Sequence, residues 1–156
     1  MCSSDLLARA TMMSGAMENA MDMACTYAQQ RVQFGRPISK FQAVQHNLAV
    51  LASQTAAAVA AANMGIQALD KDEERQEFII AMAKTRVGEA ATLACELAHQ
   101  AHGAIGFTKE YGLQLSTRRL WSWREEFGSD PEWAVKVGTY FCAQGGDNLW
   151  PILTAA

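Results

Sequence analysis

Apolar residues recur at helical spacing along most of the chain, and a few short polar segments interrupt them. Between residues 6 and 33 no proline breaks the pattern. Steps of three and four between apolar positions place them on one face of a helix. These positions are Met13, Ala16, Met17, Ala20, Ala24 and Tyr27. The segment 34–40 contains a glycine and a proline, which predicts the end of this helix and a loop.

Four more helices are predicted, over residues 41–70, 76–102, 109–123 and 130–143. The second helix has an apolar stripe at Phe41, Val44, Leu48, Leu51, Thr55, Ala58, Ala62, Ile66 and Leu69, and the third has one at Ile80, Ala83, Val87, Ala90, Ala94, Leu97 and Ala101. Residues 71–75 are charged and predict a solvated turn. Asp130 followed by Pro131 is typical of an N-cap with proline at the first helical position. Because short loops join antiparallel neighbours, we expect one all-α domain over residues 1–156, an up-and-down four-helix bundle.

Composition narrows the class of protein. Half of the residues are apolar and 19% are charged, and alanine dominates the stripes, so the helices are expected to pack closely. The formal charge of −3, without a basic cluster, argues against nucleic acid. We find no apolar run of the roughly 20 residues that a membrane span needs. No secretion signal is found, so we expect the cytoplasm.

The four cysteines are scattered, without a CxxC pair, which favours buried reduced thiols over a zinc or dithiol site. They are Cys2, Cys25, Cys95 and Cys142. Glu96 and His99 stand three residues apart, as in di-iron bundles, but such a site needs two of these motifs. One motif alone is typical of a helix surface, so no metal is predicted.

Three segments carry candidate chemistry. Glu125 and Glu126 follow two tryptophans, and a carboxylate beside indole rings can serve as a proton-abstracting base, although the same residues also suit a solvated turn. The segment 31–37 offers a guanidinium and an aromatic ring for a phosphate and a stacked ring, or a plain helix cap. The segment 100–107 offers glycine-relaxed backbone that a ligand can approach, or a kinked helix end.

Two longer strings give a resemblance. YAQQRVQFGRPISKFQAVQHNLA, at 27–49, and QAHGAIGFTKEYGLQLSTRRLW, at 100–121, resemble the C-terminal helical domain of the acyl-CoA dehydrogenases, flavoenzymes that desaturate acyl-CoA thioesters. The match runs from about Asp5 to Gly128. The resemblance implies a four-helix bundle that, in the family, follows an N-terminal helical domain and a β-barrel domain, which this chain lacks. FAD lies between barrel and bundle there, and its adenine end reaches a neighbouring subunit.

The resemblance also implies a set of cofactor contacts. Arg31 matches the arginine that meets the FAD diphosphate across the dimer interface, and Gln33 and Phe34 lie beside it. Gln42 matches a second FAD contact. A further segment matches the backbone that lies against the adenosine diphosphate of the partner's FAD, and it comprises Gln100, Ala101, His102, Gly103 and Ala104. The family usually has a second glycine where this chain has Ala104.

The catalytic base is the point at which the chain departs from the family pattern. Most members use a glutamate followed by glycine and threonine, and an ungapped count from Tyr111 puts Phe127 in its place. A shift of one residue brings in Glu126, which we predict as the base, with Glu125 and Asp5 as alternatives. Asp5 matches the place on the first helix where some members carry the base. An arginine that often contacts substrate there aligns with Leu6, and Arg9 follows three residues later.

The resemblance implies α,β-dehydrogenation of an acyl-CoA in a complete enzyme, with electrons passing to an electron-transfer flavoprotein. We expect a homo-oligomer, a dimer or tetramer, and little turnover by this chain alone. An alternative is a non-catalytic subunit or fragment that completes another chain's FAD site. A ferritin-like di-iron bundle is a third hypothesis, and it predicts bound metal.

Overall fold

The computed structural model describes residues 3–71 and 73–154, and within them the chain is almost entirely helical. The α-helices are α1 Ser3–Gln30, α2 Gln42–Gln67, α3 Glu73–His102, α4 Leu113–Glu125, α5 Asp130–Gln144 and α6 Leu149–Thr154. Single 3₁₀ turns cover Ile38–Lys40, Ala68–Asp70, Gly103–Phe107 and Gly146–Asn148. Two short strands, β1 Val32–Gln33 and β2 Arg36–Pro37, form an antiparallel hairpin. The predicted all-α class is confirmed.

Helix α3 is the centre of the bundle, because α1, α2, α4 and α5 all pack against it. The main core is built largely from alanine, with a few larger side chains between the helices. The larger ones are Met13, Met17, Leu51, Val87, Leu113 and Leu120. Small side chains let helix axes approach closely, so the predicted close packing is present.

Helix ends differ from the prediction at several places. Helix α1 ends at Gln30 instead of 33, because the chain turns into the β1–β2 hairpin. Helix α3 begins at Glu73, inside the predicted charged turn, of which Asp72 lies outside the described residues. Helix α4 begins at Leu113, after the 3₁₀ turn at Gly103–Phe107, and the short helix α6 was not predicted.

The buried seam of α2 drifts from the predicted one toward its C-terminal end. Ile66 and Leu69 are 43% and 46% exposed, whereas Gly65 and Ala68 are buried. Gly65 lies seven residues after Ala58 and continues the repeat, whereas the predicted Ile66 lies one residue off it and so faces outward. The heptad assignment is right up to Ala62 and wrong beyond it.

The N-cap of α5 is Ser129, not Asp130. The Ser129 side chain and Glu132 form a capping box, and the Ser129 amide donates to Glu132 Oε2 at 2.8 Å. Asp130 is instead buried and pairs with Arg124. Proline does stand in the first turn, as predicted.

The described cysteines are unpaired thiols, but they are not all buried. Cys95 is buried and Cys25 half-buried, whereas Cys142 is exposed, so the prediction of buried thiols is wrong for Cys142. Cys2 lies outside the described residues.

One helical stretch among the described residues, Gln42–Asp70, is long and apolar enough to cross a membrane by length and composition alone. The expectation that the chain contains no such stretch is therefore wrong. A core helix of a bundle has the same composition, and α2 packs along α1 and α3. Leu51, Ala58 and Ala62 serve that packing, whereas Met64, Ile66 and Leu69 are exposed.

Candidate cofactor cleft and candidate base

The hairpin after α1 holds an aromatic ring out in solvent. Val32 pairs with Pro37 and Gln33 with Arg36, so Phe34 and Gly35 form a two-residue turn. Both turn residues have positive φ, 53° and 76°, as a type I′ turn requires. This conformation costs a bulky residue free energy, yet the Phe34 ring is 92% exposed. Such a strained, exposed aromatic residue is typical of a binding site.

The base of the hairpin is fixed by hydrogen bonds and by one aromatic residue. The Arg31 amide donates to the Tyr27 carbonyl at 2.8 Å, and the Ile38 amide donates to the Arg31 carbonyl at 2.8 Å. The Phe41 ring meets Phe34 edge-on, with centroids 6.1 Å apart. The Arg31 side chain itself is exposed at the start of the hairpin. The loop is therefore ordered, and its guanidinium faces solvent.

The C-terminal end of α3 combines a buried imidazole with open backbone. His102 is 4% exposed, its Nδ1 lies 2.7 Å from the Ala98 carbonyl oxygen, and its Nε2 lies 3.1 Å from the Tyr111 hydroxyl. Gly103, the next residue, has φ of 64°, and nothing lies within 4 Å of where a Cβ would stand. Ala104 is exposed. The His102 side chain thus holds the structure together, while the backbone after it is accessible.

The hairpin and the end of α3 meet at a cleft of about 350 Å³, here called the hairpin cleft. Its walls are Gln33, Phe34, Ile38, Phe41, Ala43, Val44, Asn47, Gln100 and Ala101. The two motifs, far apart in sequence, therefore face one space. Gln42 is exposed at the start of α2, but it does not line the cleft, and neither does Arg31. Sequence reasoning missed the apolar wall of Ile38, Phe41 and Val44, which carries no chemical signature.

A second cleft, of about 460 Å³, adjoins the same end of α3 and shares Gln100 with the first. His99 lines it, stacked on Phe107 with centroids 4.1 Å apart, and its Nε2 lies 2.9 Å from Thr117 Oγ1. Burial lowers the pKa of His99, and His102 lowers it further. Glu96 borders this cleft too, and the described residues hold no group of three or more possible metal ligands.

The carboxylate of the candidate base Glu126 is paired with an arginine near the start of α1. Arg9 on α1 forms an ion pair with it at 2.5 Å, and the Ser122 hydroxyl donates to Glu126 Oε1 at 3.3 Å. The Arg9 guanidinium lies 5.2 Å from the Trp123 ring centroid and 5.7 Å from that of Phe127. The Arg9 guanidinium, and not the carboxylate itself, thus lies against the aromatic rings, and the sequence did not assign this cation to Glu126.

The alternatives to Glu126 are less enclosed. Asp5 and Glu125 are both exposed. Asp5 lies one helical turn before Arg9, on the same face of α1. Leu6, which stands where the family often has an arginine, is buried in a core cluster with Trp133 and Ile80. Phe127 has φ of 62°, so the residue in the usual position of the base sits in a left-handed corner.

Two motifs of this helical bundle, each containing a glycine, thus converge on one cleft. The model of "Acyl-CoA dehydrogenase, C-terminal domain" matches residues 7–130. The chain belongs to the acyl-CoA dehydrogenase family and corresponds to that C-terminal domain.

Individual relatives agree with this assignment. The probable acyl-CoA dehydrogenase YngJ of Bacillus subtilis is 39% identical over 106 residues, 67% of this chain and 27% of the relative. The 3-sulfinopropanoyl-CoA desulfinase of Paraburkholderia xenovorans is 38% identical over 109 residues, 70% of this chain and 28% of the relative. The solved structure of a glutaryl-coenzyme A dehydrogenase in complex with glutaryl-CoA superposes with a TM-score of 0.82 at 28% identity, covering 87% of this chain and 34% of that one.

The chain spans about a third or less of the length of these relatives. Their names also differ in chemistry, since one is a dehydrogenase and another a desulfinase. Family membership therefore leaves the reaction of the complete protein to be argued from the site.

The residues at the hairpin cleft fit FAD, the cofactor that the resemblance implies. A flavin dinucleotide needs a charged donor for its diphosphate, an apolar face for a flat ring, and backbone that it can approach. Arg31, exposed at the start of the hairpin, supplies the first, Phe34 in the cleft wall the second, and Gly103, which lines the adjoining cleft, the third. No side chain fills the space beside Gly103.

Proposed function

We propose that the chain is the C-terminal domain of an FAD-dependent acyl-CoA dehydrogenase and contributes part of the FAD site and of the oligomer interface. The reaction is the α,β-dehydrogenation of an acyl-CoA thioester by the complete enzyme. One observation carries the proposal: the hairpin with Phe34 and the α3 end with Gln100 form two walls of one cleft. The hairpin wall adds little to the packing of the bundle, because the Phe34 ring is 92% exposed and meets the neighbouring Phe41 ring edge-on.

Each wall has a distinct task. The Arg31 guanidinium donates charge-assisted hydrogen bonds to a diphosphate, and its position on an ordered hairpin limits the entropy lost on binding. The Phe34 ring provides a flat apolar face, and the Gln100 amide can both donate and accept hydrogen bonds. Gln42, exposed beside the cleft, adds a further amide. FAD, when bound, supplies the acceptor for the hydride that leaves the β-carbon.

The role proposed for Glu126 is to accept the α-proton on a carboxylate oxygen. In this structure the Glu126 carboxylate is paired with Arg9. The Arg9 guanidinium must therefore move away from at least one carboxylate oxygen before that oxygen can accept a proton. The Trp123 and Phe127 rings lie against the Arg9 side of the pair. Asp5 and Glu125 remain the alternative bases.

A non-catalytic subunit that completes another chain's FAD site is the second candidate. It is favoured by Phe127, which stands at the position of the family's base, and by the engagement of Glu126 with Arg9. The ion pair is then purely structural, joining α1 to the α4–α5 connection. The cofactor contacts are the same in both proposals.

Self-association, an acyl-CoA substrate, an electron-transfer flavoprotein and a cytoplasmic location complete the proposal. Large apolar side chains are exposed on the isolated domain, among them Phe34, Phe107, Val135 and Trp150. Surfaces of this kind are usually covered by another subunit or domain. Sedimentation at several concentrations is expected to show a dimer or larger species, and a monomer throughout would contradict this part of the proposal.

An FAD titration of the purified chain tests the cofactor site. Flavin fluorescence and oligomer mass are followed together for wild type, Arg31→Ala and Arg119→Ala, the last being an exposed arginine on α4 that lines neither cleft. We expect saturable binding, weakened at least about tenfold in Arg31→Ala, because a charge-assisted hydrogen bond contributes about 1.5–3 kcal/mol. Arg119→Ala is expected to bind like wild type. A folded oligomer that does not bind FAD, or equal affinities for wild type and Arg31→Ala, would contradict the proposal.

A further inference from the structure

Lys84 is a fully buried lysine in the middle of α3, with an exposed fraction of 0%. A buried ammonium group is costly unless hydrogen bonds and charges surround it. Burial lowers the pKa of Lys84, while Asp130, Glu125 and Glu126 act to raise it and Arg124 to lower it. The charges around this lysine therefore all belong to the end of α4 and the start of α5.

The hydrogen-bond partners of Lys84 are the last carbonyls of α4. Its Nζ donates to the Arg124 carbonyl oxygen at 2.6 Å and lies 3.5 Å from that of Trp123. Carbonyls in the last turn of a helix have no partner within the helix and form the negative end of its dipole. Lys84 thus caps α4 from a different helix, directly before Glu126.

The connection that follows, residues 126–129, is here called the α4–α5 corner. Phe127 and Gly128 have consecutive positive φ angles of 62° and 101°. A phenylalanine keeps this conformation only when its surroundings hold it there. On the α5 side the Trp133 Nε1 donates to the Phe127 carbonyl oxygen at 2.9 Å. The corner is therefore fixed at both ends, by Lys84 before Glu126 and by Trp133 after it.

We propose that Lys84 and Trp133 are positioning residues that hold the α4–α5 corner so that the Glu126 carboxylate meets Arg9 between the Trp123 and Phe127 rings. Neither residue touches the carboxylate. The inference rests on the proposed function for its catalytic meaning, since Glu126 is the base proposed there. That Lys84 and Trp133 determine the position of the Arg9–Glu126 pair does not depend on the proposed function.

The test is the NMR signal of the Arg9 side-chain Nε–Hε group in the full chain, assigned by its disappearance in Arg9→Lys. The nearby Trp123 and Phe127 rings make the chemical shift of this signal sensitive to small movements of the pair. Lys84→Met removes the ammonium and keeps the length of the side chain, and Trp133→Phe removes the indole donor and keeps a ring. We expect both variants to lose the wild-type signal and to give one like that of Glu126→Gln.

Leu51→Ala is the matched control. Leu51 is fully buried in α2, so the variant loses stability without touching the corner, and it is expected to keep the wild-type Arg9 signal. A folded Lys84→Met or Trp133→Phe with the wild-type signal would overturn the inference, as would loss of the signal in Leu51→Ala. If Lys84→Met does not fold, Trp133→Phe decides by the same criterion. The FAD titration is a separate experiment. If the Arg9 signal changes in the variants as expected but the chain does not bind FAD, the proposed function is contradicted and this inference is not.

Discussion

The rings of Tyr27 and His102 are stacked, with centroids 4.7 Å apart and planes 27° from parallel. Tyr27 is in the last turns of α1, and its carbonyl accepts the Arg31 amide; His102 is the last residue of α3. This stack joins the two chain segments that form the hairpin cleft. The cleft geometry therefore depends on a contact buried behind it.

Replacement of His102 is expected to damage both stability and cofactor binding. His102→Ala removes the stacked ring and leaves the Tyr111 hydroxyl without its buried partner, a loss of about 2–4 kcal/mol in the free energy of unfolding. FAD affinity is expected to fall as well, because the Tyr27–His102 stack that joins α1 to α3 is lost. Urea unfolding and the flavin titration measure the two effects. His46→Ala, at an exposed histidine of α2, is expected to leave both unchanged, and a His102→Ala chain with wild-type affinity would show that the stack does not shape the cleft.

Gly88 is expected to be intolerant of even one added methyl group. A Cβ built there would lie 1.7 Å from Asp130 Oδ1, and Asp130 is buried and paired with Arg124. Gly88→Ala should therefore displace the carboxylate or the helix and cost about 2–4 kcal/mol, as overpacking and a broken buried ion pair do. Gly15→Ala is the control, since nothing lies within 4 Å of its Cβ, and it should gain about 0.5–1 kcal/mol from helix propensity. Equal effects of the two substitutions on thermal unfolding would refute the close approach of α5 to α3.

The buried thiol of Cys95 is expected to make the free energy of unfolding fall as the pH rises above 9. Burial raises its pKa to about 12 from 9.0, Glu96 adding to the rise and Arg124 opposing it. The unfolded chain thus releases the thiol proton at lower pH than the folded one, so the stabilisation is complete below pH 9 and is lost as the pH rises toward 12. Relative to Cys95→Ala, wild type is expected to lose about 3 kcal/mol by pH 11, because each pKa unit corresponds to about 1.4 kcal/mol. Denaturant unfolding at pH 8 to 11 measures this difference, and Cys142→Ala, at an exposed thiol, should follow wild type throughout. Parallel curves for wild type and Cys95→Ala would contradict the prediction.

The order of the helices was predictable because apolar periodicity reports which face of a helix is buried. The ends were less so. A sequence pattern does not show that Phe34 adopts positive φ in a hairpin, and this hairpin ends α1 at Gln30, three residues before the predicted end. Ser129 was missed as an N-cap because Asp130 beside it is an equally good cap by type, and only the buried pair with Arg124 distinguishes them.

The candidate site was predictable in part, and mainly through the resemblance. Gln33, Phe34, Gln100 and Ala101 do line one cleft. Residue types alone could not assign Arg9 to Glu126, because the two are separated by most of the chain and meet only when α1 packs on α4. The same holds for Lys84, because the sequence does not show that the last carbonyls of α4 lie beside its side chain.

The alanines along the buried face of α3 have a consequence for how this domain can change over generations. Substitution of a buried alanine by a larger residue pushes two helices apart. Substitution by glycine lowers the helix propensity, so few replacements leave the packing unchanged. The hairpin cleft is lined by the hairpin, the start of α2 and the end of α3, so a change in how α2 packs on α3 is expected to alter its width. Differences in cofactor affinity among relatives of this chain should therefore arise as readily from substitutions of these buried alanines as from substitutions of the residues that face the ligand.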